Sequence, residues 1–155
     1  MGKRLEIVVV DDEVQITELL KTFIECASKN SNVHTFNDAY EARNYILTNS
    51  VDVLITDYKM PKYDGIQLME EISPGIKKVL ISGYVSEIAE ERLNQLDAVF
   101  FEKPVPMKAL EKIIHEQEQL LAWLRLHHAV TASDSVLLRS LFFTFDKEHT
   151  SWQLL

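Results

Sequence analysis

Three carboxylates, a hydroxyl and an ammonium group stand at the ends of short apolar runs in this chain. Asp11-Asp12 follow LEIVVV, Asp57 follows VDVLIT, Ser82 closes KKVLIS, and Lys103 comes two residues after Phe101 ends DAVFF. Clustered carboxylates repel one another, and their pKa values rise unless a cation sits among them. Hard oxygen ligands that leave room for water suit Mg2+, which seldom takes an all-protein cage. A lysine and a hydroxyl on the same corner add donors for an anion. Metal, lysine, hydroxyl and a free carboxylate oxygen are together what phosphoryl transfer to a carboxylate requires. Each residue also has a plainer reading. An acid after a strand is usually a turn residue or a helix cap, and paired acids before a helix suit its dipole. Ser-Gly is an ordinary turn, and a lone lysine is usually solvated. The common position favours the chemistry, because independent turns have no reason to assemble these types at one edge.

The runs themselves must be strands to place those ends together. LEIVVV (5–10), VDVLIT (51–56), KKVLIS (77–82) and DAVFF (97–101) are apolar nearly throughout, as strands covered on both faces are. NVHTF (32–36) is weaker and suits an edge. Helical periodicity lies between them. Glu13 to Ala27 puts Ile16, Leu19, Leu20, Phe23, Ile24 and Ala27 on one face, and Cys26 reads as packing within that helix. Asp38 is a predicted N-cap for a helix through Tyr45, Ile46 and Leu47. Gly65 to Ile72 is a short helix stopped by Ser73-Pro74-Gly75, and Ser86 is the expected cap of a helix carrying Ile88, Ala89 and Leu93. Alternation of strand and helix implies right-handed crossovers. With five strands and no G-x-G-x-x-G after the first, the expected α/β fold is a flavodoxin-like, doubly wound parallel sheet in the order 2-1-3-4-5, with a C-terminal helical extension. Ligands bind such sheets outside the carboxyl ends of the strands, which is where the five polar residues fall.

Bulk properties restrict the function classes. A chain of 155 residues, 46% hydrophobic and 26% charged, is long enough for one core and reads as globular. A formal charge of −8 without segregated basic residues argues against nucleic acid as a partner. One cysteine cannot form an internal disulfide and fits a reducing compartment. The opening MGKRLEIVVVDDE holds too short an apolar run for a signal peptide or a membrane span, so no membrane role and a cytoplasmic location are expected.

The motifs VVVDDE, DYKMPKYDG, ISGY and FEKP together resemble the receiver domain of two-component response regulators, over roughly residues 4 to 120. The resemblance implies that Asp57 accepts a phosphoryl group from a histidine kinase or a phosphotransfer protein. It implies that Asp11 and Asp12 hold Mg2+ with Asp57, that the backbone carbonyl of Lys59 is a further ligand, and that Ser82 and Lys103 meet phosphoryl oxygens. It further implies a cis bond before Pro104 and a switching aromatic at Phe100, which here lacks a hydroxyl. Lys59 and Tyr84 are bulky side chains expected to flank the path of attacking water. The chain reads as a switch and not as an enzyme; an aspartyl-phosphate phosphatase would resemble D-x-D after the first strand, whereas the acids here are adjacent.

The last third differs in character. Residues 1–120 are expected to form the receiver domain and 121–155 a helical extension without a DNA-binding or enzymatic pattern. A helix should run from Met107 through Leu110, Ile113, Ile114, Leu120, Leu121 and Leu124, ending near a solvated His127-His128. A second, capped by Ser133 or Asp134, should carry Leu137, Leu138, Leu141, Phe142 and Phe145. That apolar load needs a cover, either on the switching face or by pairing two subunits into a homodimer. Alternatively the chain is the N-terminal input part of a longer multidomain regulator.

Overall fold

The computed structural model of the chain describes residues 2–84, 86, 88–128, 143–146 and 151–154. Five parallel strands form the sheet: β1 (Leu5–Val10), β2 (Ser31–Phe36), β3 (Val53–Asp57), β4 (Lys77–Ser82) and β5 (Ala98–Glu102), in the order β2-β1-β3-β4-β5. Between and after them lie α1 (Val14–Ala27), α2 (Ala39–Thr48), α3 (Gly65–Glu71), α4 (Glu90–Gln95) and α5 (Met107–His128). The expected flavodoxin-like order is the one observed, and β2 takes the edge.

The apolar runs are continuous because each strand feeds two cores. Val8, Val10, Leu54 and Leu80 point to the face covered by Ala42 and Ile46 of α2 and Ile66, Leu68 and Met69 of α3. Their neighbours Ile7, Val9, Ile55, Val79 and Ile81 point to the other face, against Leu20 and Ile24 of α1 and Leu110 and Ile114 of α5. Side chains alternate across a pleated strand, so a strand buried on both faces cannot alternate in polarity. Truncating one of these side chains, such as the fully buried Leu54, to alanine costs about 2–5 kcal/mol.

Local signals place the starts of α2 and α3. The Asp38 carboxylate accepts from Tyr40 N–H (2.9 Å) and Glu41 N–H (3.0 Å), the expected cap. Asp64 and Gln67 form a capping box at the start of α3. Gly65 is required by close approach: a Cβ there would lie 2.2 Å from the Asp57 carbonyl oxygen and 2.9 Å from a Leu80 methyl carbon. Backbone cannot yield as a side chain can, so Gly65→Ala should destabilise by about 1–3 kcal/mol and displace the end of β3. Chemical denaturation reads the first effect, and an unchanged midpoint would count against it.

Five expectations need correction. Leu19 is 54% exposed and Cys26 is exposed, because α1 buries only the stripe Thr17, Leu20 and Ile24. Leu19 lies about 100° around the helix from Leu20, off the line that meets the sheet. Ser86 does not cap α4; the helix begins at Glu90 after Ala89, with no side-chain cap, and Glu90 and Glu91 fill the first turn where the dipole favours acids. Strand β3 starts and ends later than VDVLIT, so Asp57 is its last residue; β5 is shifted likewise to 98–102. Phe145 lies on a strand instead of a helix: β6 (Phe143–Asp146) pairs antiparallel with β7 (Ser151–Leu154), Phe145 opposite Trp152. β-branched and aromatic residues dominate FTF, and pairing with SWQL satisfies its backbone. The expected caps Ser133 and Asp134, and Leu137, Leu138, Leu141 and Phe142, lie outside the described residues.

Helix α5 runs unbroken across residue 120. Leu121 shares the core of Leu110 and Ile114, while Leu120 and Leu124 form a small cluster of their own beside Trp123. His127 is exposed and its ring stacks on Trp123 (4.3 Å between centroids).

Candidate functional site

The order 2-1-3 sets β1 beside β3, so Asp11 and Asp12, just past β1, meet Asp57 at the end of β3. One carboxylate oxygen from each lies within 4.8 Å of the others; Asp11 and Asp57 are buried and Asp12 is exposed. Lys103 reaches over from the end of β5, its Nζ 3.1 Å from Asp57 Oδ1 and 3.4 Å from Asp11 Oδ2. The Lys103–Pro104 bond is cis, as the resemblance implies, and Lys103 N–H donates to the Ser82 carbonyl (2.9 Å). Ser82 is buried at the end of β4, one residue past Ile81, which stands opposite Asp57 in the ladder. Its Oγ accepts from Tyr84 N–H at 2.9 Å. With that acceptor position used, the hydroxyl proton is left to donate to an anion.

Burial is the largest influence on Asp57 and pushes its pKa up; Asp11 and Asp12 push the same way, and Lys103 opposes them without cancelling them. Burial works against charge on Lys103 as well, but Asp57 and Asp11 outweigh it and hold the ammonium above its ordinary value. Three acids against one lysine leave this corner negative. That excess and the hard oxygen set fit a small divalent cation with water in its remaining positions.

Four of the expected side chains thus converge directly: Asp11, Asp12, Asp57 and Lys103. Ser82 joins them through the β3–β4 register. Lys59 stands two residues past Asp57, and its ammonium lies 4.2 Å from the centroid of the Tyr84 ring. Phe100 is half-buried on β5 opposite Leu80, packed against the α2–α3 side. Several positioning residues were not anticipated. Asn37 Nδ2 donates to the Asp11 carbonyl (2.8 Å) and to Thr17 Oγ1 (3.2 Å), and Glu13 N–H donates to Asp11 Oδ1 (2.9 Å). Thr56 Oγ1 donates to the Asp57 carbonyl at 3.0 Å. Asn37 did carry a signal, as a polar residue at the carboxyl end of β2.

A negatively charged carboxylate cluster with a bridging lysine, at the carboxyl edge of a 2-1-3-4-5 sheet, defines a class of α/β signalling domain. The family profile "Response regulator receiver domain" matches residues 7–115, and the chain belongs to that family. "Regulatory protein VanRc" of Enterococcus gallinarum is 30% identical over 136 residues, covering 84% of this chain and 56% of that protein. The chain spans about half or less of the length of the curated relatives it matches. Among solved structures, an uncharacterized protein from Neptuniibacter caesariensis is 28% identical with a TM-score of 0.68, covering 84% of this chain and 98% of that one. A CheY-like receiver domain protein from Methanospirillum hungatei JF-1 is also 28% identical, with a TM-score of 0.64 over 75% of this chain and 98% of that one. No helix among the described residues is long and apolar enough to cross a membrane.

Proposed function

We propose that Asp57 is the phospho-acceptor of this receiver, charged by a histidine kinase or a phosphotransfer protein. The observation that carries the reading is Lys103 bridging Asp57 and Asp11 inside the acid cluster. An Asp57 carboxylate oxygen bonds to phosphorus as the bond to the donor's imidazole nitrogen breaks. Lys103 then pairs with one phosphoryl oxygen, and the Ser82 hydroxyl donates to another. Asp11, Asp12 and Asp57, with the Lys59 carbonyl, would hold Mg2+, which supplies charge neutralisation for the transferring group. The chain is read as a cytoplasmic switch acting by protein contact, and not as an enzyme turning over an external substrate.

The readout is proposed to run through Ser82 and Phe100. A move of Ser82 toward the phosphoryl group vacates space that the Phe100 ring can enter, remodelling the surface of α4, β5 and α5. Residues 1–120 form the receiver in this reading and 121–155 an extension that reports the switch, by packing on it or by joining two subunits. Addition of Mg2+ and beryllofluoride, a phosphoryl mimic, should therefore change the size measured by light scattering. An unchanged size with the mimic bound would remove the extension from the output. A second reading, input part of a longer multidomain regulator, is favoured by the greater length of the curated relatives.

A further inference from the structure

Helix α5 is longer than the sheet it covers. Its 22 residues span about 33 Å, whereas the 5 residues of β5 span about 17 Å. Leu121 is the last α5 residue in the core shared with the strands. The final turns therefore project past the amino edge of the sheet, beside the start of the chain, where Gly2 sits so close to the Arg125 guanidinium that a Cβ would collide with it. Leu120 and Leu124, one turn apart at that end of the helix, are each 1% exposed, while Leu126 on the other side is 83% exposed. Something closes one side of the overhang. Among the described side chains, the apolar neighbour packed against the pair is Trp123, which belongs to the same helix and cannot cover it from outside.

The strands beyond α5 supply a matching surface. In the β6–β7 register Phe143 stands opposite Leu154 and Phe145 opposite Trp152, while Thr144 stands opposite Gln153 and Asp146 opposite Ser151. Residues directly opposite share a face, and successive residues alternate between faces. One face of this ribbon thus holds apolar residues alone and the other polar residues alone. Two strands by themselves are marginal in water and need a helix or a further strand against the apolar face. Reach is no obstacle. Residues 129–142 separate the ribbon from α5, a span of up to about 45–50 Å, and Leu124 lies only about 6 Å back from the end of the helix. At such range a site on the same chain meets the ribbon at an effective concentration on the order of millimolar, well above that of a second copy in dilute solution.

We propose that the apolar face of the β6–β7 ribbon docks on Leu120 and Leu124 of its own chain, an intramolecular cap that keeps the end of α5 from joining a second copy. The cap stands at the edge of the sheet opposite the aspartate cluster, with Thr144, Asp146, Ser151 and Gln153 on its outer face. It decides between the two roles open to the extension: in the unphosphorylated chain the apolar load is covered internally and no second subunit is needed. The inference does not depend on Asp57 accepting a phosphoryl group.

The chain has two tryptophans, Trp123 and Trp152, so Trp123→Phe leaves Trp152 as the sole indole, placed on the ribbon. In that background Trp152 should emit to the blue of the urea-unfolded chain and resist acrylamide quenching, equally at every protein concentration. Leu124→Asp, and Phe145→Asp on the ribbon, should each shift the emission to the red and raise the quenching. Two controls put the same charge on the other side of each element: Leu126→Asp and Thr144→Asp should change neither. Phe145 lies outside the five-stranded domain, so its variant reads the docking even where Leu124→Asp lowers the stability of that domain. Light scattering should give a monomer for the wild type and, for Phe145→Asp, a mass that rises with concentration as the uncovered leucines pair. Trp152 already open to quencher in Trp123→Phe, no release by Phe145→Asp, or controls that release it as fully would overturn the cap. So would shielding that develops only as concentration rises, or a released Phe145→Asp chain that stays monomeric.

Discussion

Exchanging Asp57 for asparagine should abolish phosphoryl uptake and make the metal-free protein more stable at neutral pH. The first effect follows from the lost nucleophile, since an amide oxygen cannot form the acyl phosphate. The second follows from the direction of the Asp57 pKa. Burial raises it, with Asp11 and Asp12 adding to the shift. An acid whose pKa is higher folded than unfolded contributes stability that is fully present below its unfolded value and is lost as pH rises through its folded value. The wild type therefore loses that contribution progressively as pH rises above the unfolded value. Asparagine never ionises, so the advantage of the variant should grow as pH climbs from the usual aspartate range through the raised value, then level off. Lys103 is not stranded by the exchange, because Asp11 Oδ2 remains 3.4 Å away. Thermal unfolding in chelator across acidic to neutral pH measures the trend. A variant less stable than the wild type at neutral pH would contradict this electrostatic account.

Mg2+ should stabilise the same protein that its own acids destabilise. A cation that binds only the folded state adds RT ln(1 + [L]/Kd), about 2.7 kcal/mol at a hundred times Kd. For a chain of this size that corresponds to a rise in Tm of roughly 5–10 °C. Asp12 is the exposed member of the cluster, so Asp12→Ala should leave the core intact and remove most of the rise. It should also stabilise the metal-free protein slightly, by relieving repulsion at Asp11 and Asp57. Titration of Tm against Mg2+ in both proteins is the check. An equal rise in the variant would place the cation elsewhere.

Much of this was legible because burial on two faces leaves a strong trace. Strands β1, β3 and β4 carry apolar residues on both faces through most of their length, and the polar residue that closes each run marks the edge where ligands bind. Asp11, Asp57 and Ser82 were therefore readable as a group. Features set by tertiary contact were not. Whether Leu19 or Leu20 faces the sheet depends on the width of the stripe α1 buries, and both satisfy the same periodicity. Cys26 and Ser86 follow statistical preferences that local packing overrides. Asn37 holds the Asp11 backbone because β2 lies beside β1; that strand order was expected, but the reach of this side chain to the Asp11 carbonyl is set by tertiary geometry that spacing does not show. Phe145 sits in a sequence whose apolar spacing also suits a helix, and its pairing with Trp152 decided between them.

The most direct test is the mass of the chain after incubation with Mg2+ and acetyl phosphate, followed by peptide mapping of the modified residue. The account predicts one added phosphoryl group, carried by Asp57, that requires Mg2+ and is absent from Asp57→Asn. An unmodified wild type, or equal modification of Asp57→Asn, would contradict it.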